Sequence, residues 1–286
     1  MTDLYSGHFG LTQRPFALQP DPGFFYMSSV HAHALTTINY AILSRTPITM
    51  ITGELGVGKT TVLRKLMSRL QRDVTMVLLS NATGGPEDVL RWLMAAAGQP
   101  AQLRENHIQL MGRFEKFLIG EYAAGRRVLL VVDEAQHLDM ETLEVLRLMT
   151  NINSDKHEIV QLLLFGQPEL RDRVRQREMQ QLAQRIGAGC HMGPMSAAET
   201  RGYIEHRLTV AGAKRSIFSD GAMRRVYELS GGIPRLINQL CDLALVYAFS
   251  ENRHDVDEAL VCRIDREDAC FFLAACQPLR QPTLAA

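Results

Sequence analysis

Residues 53–61 read GELGVGKTT and fit the pattern G-x-x-x-x-G-K-[ST]. Gly53, Gly56 and Gly58 free backbone N–H groups to wrap a chain of phosphates, with Glu54, Leu55, Val57 and Thr61 completing the cradle. Lys59 would reach the β- and γ-phosphates, and the Thr60 hydroxyl would bind Mg²⁺. The plain alternative is a glycine-rich turn with a solvated lysine. A predicted strand before the motif and a predicted helix after it argue for the phosphate loop.

A second cluster lies at 128–138, VLLVVDEAQHL. A buried strand ending in Asp133-Glu134 places two carboxylates at the carboxyl end of a sheet, where open α/β sheets bind ligands. Asp133 would hold Mg²⁺, largely through water, and Glu134 would orient or deprotonate an attacking water. Alone, the Asp-Glu pair is an ordinary solvated loop. Beside a phosphate loop it implies nucleotide hydrolysis. In the segment LLLFGQPEL, Gln167 at a strand tip could touch the γ-phosphate or the lytic water, or with Pro168 simply turn the chain into a helix near Glu169. Both readings stand.

Two arginines complete the set. Arg185, in MQQLAQRIGAGCHMGPM, sits beside the end of a strand, where it cannot easily reach a phosphate of its own subunit. It could reach a neighbour's as a finger in trans, or it is a surface arginine; Arg171, Arg173, Arg175 and Arg177 compete for the role. Arg235, in SGGIPRLINQL, follows Pro234 at the start of a helix whose apolar face is Leu236, Ile237, Leu240 and Ala244. A cation there opposes the helix dipole unless it meets an anion. A helical lid over a nucleotide would supply one, making Arg235 a γ-phosphate sensor.

These residues need a scaffold. Strand-like runs at 48–52, 74–79, 128–132, 159–165 and, more weakly, 187–193 alternate with helical patterns. One helical face is Leu35, Ile38, Ile42 and Leu43; others are Val62, Leu63, Leu66 and Leu70, then Leu110, Met111, Phe114, Phe117 and Leu118. Apolar strands separated by helices indicate a parallel sheet covered on both faces. After residue 195 the strand signal ends, and SAAE at 196–199 and Ser219 cap helices. The expected division is an N-terminal segment and first helix packing on the core (1–47), an α/β nucleotide-binding domain (48–194), a helical lid (195–276) and a disordered tail (277–286).

The chain has 286 residues, with 31 Lys+Arg against 31 Asp+Glu, so net charge does not advertise nucleic acid or an acidic membrane. The five cysteines form no C-x-x-C pair, and the polar start lacks an apolar signal region. The apolar runs are far short of the ~20 residues of a membrane span. A soluble, cytoplasmic protein is expected.

Together these residues resemble an AAA+ ATPase, a five-stranded αβα sandwich of the P-loop NTPase class followed by a small all-helical lid. In that family's terms Gly53–Thr60 would be Walker A, Val128–Glu134 Walker B, Gln167 sensor 1, Arg185 the arginine finger and Arg235 sensor 2. More closely, the chain resembles the general secretion pathway protein A family, with its MSHA-biogenesis and exosortase-associated relatives. The resemblance rests on HFGLTQRPFALQPDPGFFYMS, VVDEAQHLDMETLEVLRLMTNI, LLLFGQPELR, QLAQRI, ETRGYIEHRL and SGGIPRLINQL, and runs to about residue 250. It implies Mg²⁺-dependent conversion of ATP and water to ADP and phosphate. It also implies that Phe24, Phe25 and Tyr26 line the adenine side, the alternative being ordinary core aromatics. Secretion proteins of this kind carry a membrane span and a peptidoglycan-binding region beyond the ATPase. The polar ending QPLRQPTLAA has neither, as expected of a stand-alone ATPase or an isolated domain.

The resemblance implies an ATP-dependent homo-oligomer that drives or regulates assembly of a cell-envelope secretion or export system through a protein partner. It would lie in the cytoplasm, peripheral to the inner membrane through that partner. The alternative is an AAA+ regulator of transposition, filamenting on duplex DNA through Lys65, Arg69 and Arg72 or Arg91 and Arg104, which otherwise read as solvated helix faces.

Overall fold

The structure is a computed structural model and describes residues 4–19, 21–70, 73–80, 84–100, 105–154 and 157–267. The expected tail at 277–286, the apolar residues Phe271, Phe272 and Leu273, and Arg72 and Arg104 lie outside the described residues. In chain order the elements begin α1 (Ser6–Phe9), α2 (Ser29–Leu43), β1 (Ile48–Gly53), α3 (Lys59–Met67), β2 (Val74–Leu79), α4 (Pro86–Ala96), α5 (His107–Ala123) and β3 (Arg127–Val132). They continue α6 (Met140–Met149), β4 (Asn153–Ser154), β5 (His157–Glu158), β6 (Val160–Gly166), α7 (Pro168–Val174), α8 (Gln180–Arg185) and β7 (Ile186–Met192). The last four are α9 (Ala197–Val210), α10 (Asp220–Ser230), α11 (Pro234–Ser250) and α12 (Glu258–Arg266). The described residues fall into two compact units.

One unit comprises residues 31–54 and 62–192. Its sheet has the order β2-β3-β6-β1-β7, and every neighbouring pair is parallel. Interior strands of such a sheet are buried on both faces, and β6 is buried at every position. Its one polar side chain, Gln161, is satisfied by donating to the carbonyls of Ala41 (2.9 Å) and Thr46 (3.0 Å). The edge strand β7 looks weak in sequence because glycine carries no strand signal. Gly189 is nevertheless required, since a Cβ there would lie 2.8 Å from the carbonyl oxygen of Met50 on β1. Helices α4 and α6 both begin with helix-start chemistry. Pro86 opens α4 ahead of Glu87 and Asp88, and the Asp139 carboxylate accepts the Thr142 N–H at 2.7 Å to cap α6.

The other unit comprises the opening segment to Val30, residues 55–61 and the chain from Gly193 onward. Tyr5, Phe9, Phe16 and Phe24 of the opening segment join Ile204, Leu208, Phe218, Ile237 and Leu240 in one apolar core. Arg207 of α9, 5 % exposed, fastens that segment by donating to the carbonyls of Pro15 (2.5 Å) and Ala17 (3.4 Å). The Tyr5 hydroxyl and the Arg14 guanidinium both donate to the Asp242 carboxylate. Glu199 closes a capping box with Ser196 at the start of α9, and its Oε1 accepts the backbone N–H of Ser29 at 2.7 Å. No helix among the described residues is long and apolar enough to cross a membrane.

Candidate active site

Parallel strands align their carboxyl ends on one edge of a sheet. Thr52 of β1 pairs with Gly166 of β6, and Leu164 of β6 pairs with Val132 of β3. Gly53, Asp133 and Gln167 therefore leave the same edge. Asp133 is buried, and its backbone N–H donates to the Leu79 carbonyl at 2.9 Å. Next to it, Glu134 holds φ +56° and ψ +39°, a left-handed conformation that costs a non-glycine residue about 1–2 kcal/mol. Such strain persists where surrounding contacts impose it.

The Glu134 backbone N–H donates to Asp133 Oδ1 at 3.1 Å and its carbonyl accepts the His137 N–H at 3.0 Å, while its carboxylate meets Gln136, a residue not singled out in the sequence although it lies in the same DEAQH segment. Its Nε2 donates to Glu134 Oε2 at 2.6 Å and lies 3.2 Å from His137 Nε2. Its Oε1 accepts the backbone N–H of Gln167 at 3.0 Å. The Gln167 side chain adds a longer donation to Glu134 Oε2, at 3.5 Å. The tip of β3 and the tip of β6 are thereby joined through one amide. Gln167 also precedes Pro168 at the start of α7, so turn and polar tip coexist.

The loop after β1 is built for close approach. Gly56 has φ +84° and Gly58 has φ +100°, both in the region that favours glycine. Lys59 opens α3 and is buried; Thr60 follows it. The backbone N–H of Arg235 donates to the Gly56 carbonyl at 3.2 Å, and a Cβ on Gly56 would lie 2.7 Å from Arg235 Cβ. The start of α11 thus rests on the loop by its backbone. The Arg235 side chain is exposed and makes no ion pair among the described residues. Positive-φ glycines opening onto a helix N-terminus fit a phosphate chain, and the Thr60 hydroxyl beside them is a hard oxygen donor of the kind Mg²⁺ takes.

Arg185 lies elsewhere. It ends α8 immediately before Ile186, which pairs with Ile48 at the amino end of β1. Gly53 lies five residue steps beyond Ile48 along β1, roughly 17 Å at ~3.3 Å per residue. Arg185 Nη1 donates to Thr150 Oγ1 at 2.7 Å. Of the competing arginines, Arg173 is held by the Leu138 carbonyl and Arg175 lies 3.8 Å from Asp172. Phe24 is a buried core residue with the Arg207 guanidinium 4.9 Å from its ring centroid, and Tyr26 meets Tyr203 edge-on. Arg91, among the basic residues weighed for DNA, donates to the Glu105 carbonyl.

Comparison with known proteins agrees with this reading of the fold. Residues 42–174 match the AAA domain family. General secretion pathway protein A of Aeromonas hydrophila is 39% identical over 253 residues, covering 88% of this chain and 46% of that protein. The chain therefore spans less than half the length of that relative. Among solved structures, the Aeropyrum pernix ORC2 protein superimposes with a TM-score of 0.65 at 19% identity, over 90% of this chain and 72% of that one. Cdc6p of Pyrobaculum aerophilum gives 0.65 at 14% identity, over 89% and 68%. These structures share the fold.

Proposed function

We propose that the chain is an AAA ATPase that binds ATP and hydrolyses it to ADP and phosphate, a reading supported by the AAA domain match over residues 42–174 and by its 39% identity to general secretion pathway protein A. The observation that carries this reading is the meeting, on one sheet edge, of the strand that feeds the loop 53–61 with Asp133, Glu134 and Gln167. Backbone N–H groups from Gly53 to Thr61 wrap the phosphates, and Lys59 neutralises the β- and γ-phosphates. Thr60 and Asp133 would hold Mg²⁺, which would offset the negative charge of the phosphates. Glu134 receives the proton of the attacking water, and Gln167 orients that water or the γ-phosphate. Arg235 places its cation at the γ-phosphate, the anion its position at a helix start calls for.

Arg185, at the far end of β7, acts on the nucleotide of a neighbouring copy, so turnover depends on an ATP-dependent homo-oligomer. The name of the 39% identical relative supports a protein partner in a secretion or export machine.

The test uses the Lys59→Ala and Glu134→Gln proteins. Lys59→Ala loses nucleotide binding; Glu134→Gln binds ATP and scarcely hydrolyses it. Wild-type turnover by Glu134→Gln would overturn the reading. Light scattering coupled to size exclusion on Glu134→Gln then separates two roles. Assembly with ATP alone supports a protein-directed oligomer. Assembly only with ATP and duplex DNA would replace that role by a DNA-associated one.

A further inference from the structure

Gln136 lies at this sheet edge. It is 8 % exposed, and both ends of its amide are engaged. Because Oε1 accepts the Gln167 backbone N–H at 3.0 Å, the amide cannot flip without facing a donor with a donor. Its NH₂ is thereby aimed at Glu134, where it donates to Oε2 at 2.6 Å. Its second hydrogen points toward His137 Nε2 at 3.2 Å, accepted when that nitrogen carries its lone pair. Glu134 Oε2 takes both the Gln136 and Gln167 side-chain contacts, while Oε1 has no partner among the described residues.

Resting on the assignment of Glu134 as the group that receives water's proton, we propose that Gln136 is a positioning residue for hydrolysis. It occupies Glu134 Oε2, turns Oε1 outward for the water, and ties that orientation to the backbone of Gln167. Any displacement of the β6 tip then moves the carboxylate of Glu134 with it. A misplacement of about 1 Å in such a group costs on the order of 100-fold in rate.

The experiment measures kcat, KM, ATP affinity and Tm for Gln136→Met and Gln136→Glu. Methionine keeps the volume without the hydrogen bonds. Glutamate can still accept from Gln167 N–H but faces Glu134 with like charge. Both variants are expected to lose on the order of 10- to 100-fold in kcat while ATP affinity stays close to wild type and Tm falls by the cost of an unpaired Gln167 N–H or a buried like charge. Adding Gln136→Met to Glu134→Gln should cost nothing further, because the two act as one unit. Unchanged or faster turnover in Gln136→Met would overturn the proposal, as would a loss of kcat matched by an equal loss of ATP affinity. Wild-type turnover by Glu134→Gln alone would instead remove the underlying assignment of the base, a pattern distinct from failure at Gln136.

Discussion

The backbone N–H of Arg235 donates to the carbonyl oxygen of Gly56 at 3.2 Å, so the first turn of α11 is seated on the loop that follows β1. Helix starts carry unsatisfied N–H donors, and here the loop supplies an acceptor that the N-cap residue Ile233 cannot. The guanidinium is left outside that contact.

Gly56→Ala is therefore expected to fail for two separate reasons. The φ of +84° costs an L-residue about 1–2 kcal/mol, and the new Cβ would sit 2.7 Å from Arg235 Cβ and 3.2 Å from Ile233 Cγ2. Isothermal titration should show ATP affinity reduced roughly tenfold or more, with a lowered Tm. Arg235→Ala keeps the backbone bond, so it should weaken ATP binding while sparing ADP and Tm. Wild-type ATP affinity in Gly56→Ala would contradict this packing.

Arg185→Ala should leave nucleotide binding intact in dilute protein. What it should lose is the rise of specific activity with protein concentration, by a factor on the order of 10³ if the finger acts in trans. The native bond from Arg185 to Thr150 lies within the chain and would persist in the monomer. Normal hydrolysis by Arg185→Ala at high concentration would reassign the finger.

Glu199 offers a stability prediction with a defined pH window. Burial works against its charge, but donors from Ser196 and Ser29 prevail and hold its pKa at about 2, below the usual 4.5. A depressed carboxylate stabilises the fold fully above its unfolded pKa, and that contribution fades as pH falls from 4.5 toward about 2. Glu199→Gln should be less stable than wild type by about 1–2 kcal/mol at pH 7, the range of a lost cap. In urea unfolding the gap should stay constant above ~pH 5 and close below it. A gap that widened in acid would contradict the sign.

Much of this molecule is written locally. The phosphate-loop pattern at 53–61, the apolar strand ending in Asp133-Glu134, the Ser196–Glu199 capping box and the Pro234 helix start each depend on residues a few positions apart. Local chemistry decides them, so sequence suffices. The strand β7 is faint because Gly187 and Gly189 answer to neighbours, the side chain of Thr46 and the backbone of Met50, rather than to strand propensity.

Other relationships needed the folded chain. Gln136 and Gln167 are 31 residues apart, and only the β3–β6 register brings the amide of one to the backbone of the other. Gly56 and Arg235 meet only because α11 returns to the loop, and Arg207 gathers Pro15 and Ala17 across most of the chain. Long-range hydrogen bonds have no signature in a linear pattern, since either partner alone satisfies the same residue preference. The sequence alone determined which groups could do chemistry; tertiary packing decided which of them hold one another in place.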